Sequence, residues 1–180
     1  LWPRLTGLEP GARTLERLVR DPAFVRFGSG QVSAREFWRE VCDRLGENWD
    51  FDTFRTRWCD IFVRKPAMEA LFSEIADRVP VGLLSDTEPL HWEFLRQNLP
   101  ILQRIPRPTL SFEARMLKPE PAFYELAAGH VGHTIARCFF VDDVQRNVDG
   151  ALRAGMDAVL FVDPPTLRRQ LRDRGLPLAP

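Results

Sequence analysis

An α/β fold is predicted for this chain, a Rossmann-like parallel sheet core with an N-terminal helical attachment. Three observations predict it. Compact apolar runs, Val81-Gly82-Leu83-Leu84, Cys138-Phe139-Phe140-Val141 and Ala158-Val159-Leu160-Phe161-Val162, alternate with helical patterns after Pro66. Continuous rather than alternating apolar strands indicate a parallel sheet covered on both faces. The first third carries helical periodicity and no strand. With 180 residues, 44% hydrophobic and 28% charged, the chain can bury a core with a smaller domain attached.

Taken in order, Gly28-Ser29-Gly30 marks a loop before Ser33-Ala34-Arg35-Glu36, a capping-box pattern. Phe37, Trp38, Val41, Cys42 and Leu45 then share one helical face. Asp52-Thr53 is expected to cap another helix, with Phe54, Trp58, Ile61 and Phe62 on its apolar side. Met68, Leu71, Phe72, Ile75 and Val79 follow helical spacing. A helix is expected after Pro89, and a short strand from Thr109 to Phe112. Another helix should begin at Pro119 or Pro121, where proline suits the first turn. Gly155 should stop the helix holding Val148, Ala151 and Leu152, and Leu167 and Leu171 lie on a last one. The division is residues 1–65, a helical domain, and residues 66–180, the α/β core.

Composition narrows function. Lys plus Arg and Asp plus Glu balance at 25 each, so no net field recruits nucleic acid or an anionic membrane surface. No apolar run approaches the roughly 20 residues of a membrane span. Cys42, Cys59 and Cys138 are widely spaced and form no metal-ligand pattern. They suit reduced thiols in a cytoplasmic protein. Only Lys65 and Lys118 are lysines against 23 arginines, which draws attention to wherever a compact ammonium is kept.

Ligands of open parallel sheets bind beyond the carboxyl ends of the strands. There, Leu83-Leu84 runs into Ser85-Asp86-Thr87, and Phe140-Val141 into Asp142-Asp143. Lys118 lies between, in Met116-Leu117-Lys118-Pro119-Glu120-Pro121. Singly these are weak: Ser85 reads as a turn residue or N-cap, Lys118 as surface, Asp143 as a helix cap. Two adjacent carboxylates repel unless a cation such as Mg²⁺ relieves them. Together, a hydroxyl, an ammonium and a carboxylate pair suit phosphoryl transfer.

The order Ser85, then Lys118 in LKPEP, then FFVDDVQRNVDGALRAGM resembles the second, third and fourth motifs of the haloacid dehalogenase-like (HAD) hydrolases. Phe27 to Ser33, followed by Glu36-Phe37-Trp38, resembles the start of the helical cap in the branch of small sugar-phosphate phosphatases and epoxide hydrolase N-terminal domains. The resemblance implies that Ser85 and Asp86 lie at the phosphoryl group, and that Lys118 neutralises the nucleophile. It implies Mg²⁺ bound by Asp142 directly, with Asp143 binding it through water or orienting the site. Asp86 stands where the family often has Asn, and Arg115 where a glycine commonly precedes the lysine motif.

The family's reaction also needs an apolar strand ending in Asp-x-Asp, whose first aspartate forms an aspartyl-phosphate. Residues 1–20 hold only Glu9 and Glu16 as acids. Asp50-Phe51-Asp52-Thr53 has the letters but no strand before it, and reads as the start of a helix. The expectation is therefore an N-terminally truncated, inactive fragment of a Mg²⁺-dependent phosphatase acting on a small phosphorylated metabolite. Its missing strand would lie at the sheet centre, between the Leu83 and Phe140 strands. The alternatives are a metal-free 2-haloacid dehalogenase and a non-catalytic phosphate-binding protein.

Overall fold

A computed structural model describes residues 21–178; Glu9 and Glu16 lie outside them. In chain order the elements are α1 (Pro22–Gly28), α2 (Ala34–Leu45), α3 (Phe51–Cys59), α4 (Pro66–Ala76), β1 (Leu84–Ser85) and α5 (Pro89–Asn98). There follow β2 (Thr109–Leu110), α6 (Ser111–Ala114), α7 (Pro121–Val131), β3 (Phe139–Asp142), α8 (Gln145–Ala154), β4 (Asp157–Leu160) and α9 (Pro164–Asp173). Short 3-10 turns occupy Pro100–Arg104 and Ile135–Arg137. The chain divides into two units: one comprises residues up to Val63, Asp86–Pro100 and Leu110–Arg115, the other Arg64–Ser85, Ile101–Thr109 and the chain from Met116.

The first unit is helical. The capping box at Ser33 forms as read: Ser33 accepts from Glu36 N, and Glu36 accepts from Ser33 N at 2.8 Å. Gly46 then ends α2 in the left-handed region. The cap of α3 is Asp50 rather than Asp52. Asp50 Oδ1 accepts from Thr53 N at 2.7 Å, while Asp52 falls inside the helix. An aspartate three residues before an amide reaches it from the N-cap position, which Asp52 does not occupy. Phe27, Phe37, Phe54 and Trp58 are buried to within 2% and pack ring on ring, with Phe27 and Phe37 stacked at 4.4 Å. Trp58 belongs to this core; Trp38 packs against its margin and donates Nε1–H to Trp49 O at 3.0 Å.

The second unit carries the strands. β3 and β4 pair in parallel, Phe139 opposite Asp157 through Asp142 opposite Leu160. Strand, crossover helix α8 and parallel strand make one βαβ unit, with Val148 and Ala151 of α8 buried beside Tyr124 and Ala128 of α7. Gly155 stops α8 at φ 95°, and Pro121 opens α7 at its first turn. On the other side Leu71 of α4 packs with Leu167 and Leu171 of α9.

Three differences from the expected elements have physical causes. The run from Val81 contributes only Leu84–Ser85 as strand, although Thr109 N still donates to Leu83 O at 2.7 Å. The expected strand to Phe112 ends at Leu110, where the chain turns into α6. The apolar strands are half-buried rather than fully buried. Among the described residues β1 pairs with β2 and β3 with β4, in separate two-stranded ladders. A strand with one neighbour exposes its other edge.

Candidate active site

β3 delivers Asp142 to its carboxyl end, where both carboxylate oxygens are engaged. Oδ2 accepts from Lys118 Nζ at 2.6 Å, and Oδ1 accepts from Val144 N at 2.8 Å and Asn147 Nδ2 at 3.1 Å. The Lys118 and Asp142 side chains are only 9% and 8% exposed, so the ion pair is almost removed from water. Lys118 arrives there because its segment turns tightly before α7: Leu117 N donates to Glu120 Oε1 at 2.9 Å. Its ammonium also sits 5.8 Å from the centre of the Phe140 ring.

Asn147 was visible in the sequence only as part of a motif. The structure shows its work. It is 4% exposed, reaches Asp142 from the first turn of α8, and accepts at its backbone carbonyl from Tyr124 Oη at 2.8 Å. Gly150, on the same helix, lets Pro119 approach: a Cβ there would lie 2.4 Å from Pro119 Cβ and 2.7 Å from Tyr124 Oη. The signal in the sequence was the five-residue interval from Asp142 to Asn147 and the small residue three beyond.

The other expected residues are placed less closely. Ser85 ends β1 and is half-buried; Asp86 and Asp143 are exposed. Among the described residues no hydrogen bond joins Ser85 or Asp143 to the Lys118–Asp142 pair. Neither Ser85 nor Asp143 caps a helix. Glu88 caps α5, accepting from Leu90 N and His91 N, and α8 starts from Val144 without a side-chain cap. Glu88 is another residue the sequence did not single out. It is 1% exposed and also accepts from Trp58 Nε1 at 2.9 Å, with His91 Nδ1 3.0 Å away. Its carboxylate and burial together push the neighbouring Cys59 thiol up to about 11, burial being the larger cause.

For a divalent cation, the donors here are hard oxygens from two adjacent carboxylates. Among the described residues no cluster of three or more His, Cys, Asp or Glu could hold a metal. Mg²⁺ does not require one, because it binds through one or two carboxylates and keeps several waters or substrate oxygens. The buried Asn147 Oδ1 lacks a hydrogen-bond partner, an acceptor beside Asp142 that suits an ordered water. The donor set therefore fits Mg²⁺.

Comparison with known proteins bears on the fold and on part of the chain. Residues 116–172 match the HAD-hydrolase-like family model, a stretch that includes Lys118, Asp142, Asp143 and Asn147. Flavin mononucleotide hydrolase 1 of Arabidopsis thaliana is 37% identical over 59 residues, covering 33% of this chain. That match spans about a quarter (24%) of the relative's length. Among solved structures, a HAD family enzyme from Bacteroides thetaiotaomicron in its magnesium complex superposes with a TM-score of 0.76 at 22% identity, covering 92% of this chain and 87% of the other. The same enzyme has been crystallised with magnesium and inorganic phosphate. A predicted HAD-like hydrolase from Porphyromonas gingivalis gives 0.73 at 21% identity, covering 94% and 87%.

Proposed function

We propose, from the premise that this chain has the HAD-like fold, that it forms the phosphate- and metal-binding part of a Mg²⁺-dependent phosphatase acting on a small phosphorylated metabolite. The observation that carries the reading is the nearly buried Lys118–Asp142 pair at the end of β3. An ammonium and a carboxylate so desolvated cost several kcal/mol each unless well compensated. That cost is expected where charge must be held ready for a reaction.

In this reading Lys118 neutralises the transferring phosphoryl group and the attacking carboxylate. Ser85 donates its hydroxyl hydrogen to a phosphoryl oxygen. Asp142 and Asp143 hold Mg²⁺, which would supply charge neutralisation at the phosphoryl oxygens when bound. The reaction proceeds through an aspartyl-phosphate. A carboxylate oxygen bonds to phosphorus as the bond to the leaving oxygen breaks, that oxygen takes a proton, and water then releases inorganic phosphate. The attacking aspartate is not assigned to any of residues 21–178. Residues 1–65 act as the helical cap that limits water access and selects the substrate. The relative that hydrolyses flavin mononucleotide supports a phosphomonoester substrate. We place the protein in the cytoplasm, where its free thiols Cys42, Cys59 and Cys138 suit a reducing compartment.

A 2-haloacid dehalogenase would use the same fold without metal, and Asp142-Asp143 side by side favours the phosphatase. Calorimetric titration of the chain with inorganic phosphate, with and without Mg²⁺, tests the assignment. Phosphate binding that needs Mg²⁺ and is lost in Asp142→Ala and Lys118→Ala is expected. Phosphate binding indifferent to both substitutions would overturn it.

A further inference from the structure

Ser111 is completely buried, yet it does not cap the short helix that it opens. Its hydroxyl serves three backbone groups instead. Oγ accepts from Thr87 N at 2.9 Å and lies 2.5 Å from Gly28 O and 2.8 Å from Thr87 O. A serine hydroxyl has one proton and two lone pairs. The two carbonyls therefore share the proton while the amide is accepted. One side chain thus holds both peptide groups that flank the Thr87 α-carbon.

The place of these partners gives the arrangement its meaning. Ser111 follows directly on β2, and Thr87 lies two residues beyond Ser85 at the end of β1, the strand paired with β2. The hydroxyl ties together the turns by which these two strands leave the sheet. Gly28 O, the third partner, closes α1. The loop after it lies flush on α6: Gly30 has φ +68° and a Cβ there would sit 2.1 Å from Phe112 O. A buried serine that merely satisfies loose backbone groups is common. Here two of the three groups belong to the turn that follows Ser85.

We propose that Ser111 is a positioning residue whose hydroxyl fixes the Ser85–Thr87 turn and so holds the Ser85 hydroxyl ready for a phosphoryl oxygen. The inference rests on the phosphate-binding role proposed for Ser85. Preorganised donors act without reorganising when the ligand arrives, and small misplacements are expensive. Removing the hydroxyl frees the turn but leaves Lys118 and Asp142 untouched.

The test uses the whole chain, wild type and Ser111→Ala, titrated with inorganic phosphate at saturating Mg²⁺ and separately with Mn²⁺ alone. Amide exchange at Thr87 is followed in both. Ser111→Cys keeps the volume and a weak donor, and serves if the alanine variant does not fold; it should fall between the two. Expected in Ser111→Ala are phosphate affinity lower by roughly tenfold, faster exchange at Thr87 and unchanged Mn²⁺ affinity. Unchanged phosphate affinity overturns the inference. So does a parallel loss of Mn²⁺ affinity, which marks general loosening. A wild-type chain that binds no phosphate overturns the phosphatase reading itself, and the inference with it.

Discussion

At the scale of single residues, Asp142 is the most constrained group of the site. Three donors converge on its carboxylate, and only one of them, Lys118, carries a charge. Removing that charge leaves a carboxylate almost out of water with two neutral donors, a situation that costs about 3–5 kcal/mol when a buried pair is broken. Lys118→Met is therefore expected to lower unfolding stability by about 3 kcal/mol. Lys118→Met/Asp142→Asn should recover much of the loss, because no lone charge remains. Urea denaturation of the two variants and the single Asp142→Asn completes the cycle. A loss below roughly 1 kcal/mol in Lys118→Met would mean the pair behaves as a surface ion pair.

At the scale of elements, two helical glycines look alike in the sequence and differ in the structure. Gly150 in α8 faces Pro119 and Tyr124 so closely that an added Cβ would stand 2.4 Å from Pro119 Cβ. Gly129, near the end of α7, has nothing among the described residues within 4 Å of the same position. Alanine is the better helix former by about 0.8–1.0 kcal/mol. Gly129→Ala is thus expected to stabilise by roughly 0.5–1 kcal/mol. Gly150→Ala should destabilise by about 1–3 kcal/mol, since overpacking outweighs propensity, and should disturb the approach of Lys118 through Pro119. Thermal melts of the two variants decide this; opposite signs are the expected result, and equal stabilisation would show that Pro119 can yield.

At the scale of the molecule, stability should fall on both sides of neutral pH for different reasons. Amides of Thr53 and Thr166 lower the capping carboxylates Asp50 and Asp163, and Arg174 lowers Asp157 by hydrogen bond and charge. Carboxyls depressed in the folded chain contribute stability above their unfolded pKa of about 4. That contribution is lost as pH falls below it. Cys59 works in the opposite direction. Its thiol moves from an ordinary 9.0 to about 11, so the folded chain keeps a proton that the unfolded chain releases. Stability falls as pH rises from about 9, by an amount of order 2 kcal/mol near pH 11. Urea midpoints across pH should show both declines. Cys59→Ala should flatten the alkaline one relative to the wild type, and an unaltered alkaline slope would refute its cause.

Local rules account for what could be read from the residues alone. The capping box at Ser33, the stop at Gly155, the proline start of α7 and the βαβ unit around α8 depend on neighbours within a few positions. Lys118 and Asp142 are 24 residues apart; the rule about carboxyl ends pointed to the same strand end for both, and the structure brings them to 2.6 Å. Tertiary structure decided what depends on distant partners. It chose Asp50 over Asp52 as a cap and shortened β2 at Ser111. It buried Glu88 beneath Trp58, and it made Ser111 a junction between positions 28, 87 and 111. The cap at Asp50 is set over three residues, but the burial of Glu88 and the junction at Ser111 rest on hydrogen bonds across 24 to 83 residues of sequence separation. Periodicity cannot encode such bonds, because it records which face of an element is apolar and not which polar atom will lie opposite it.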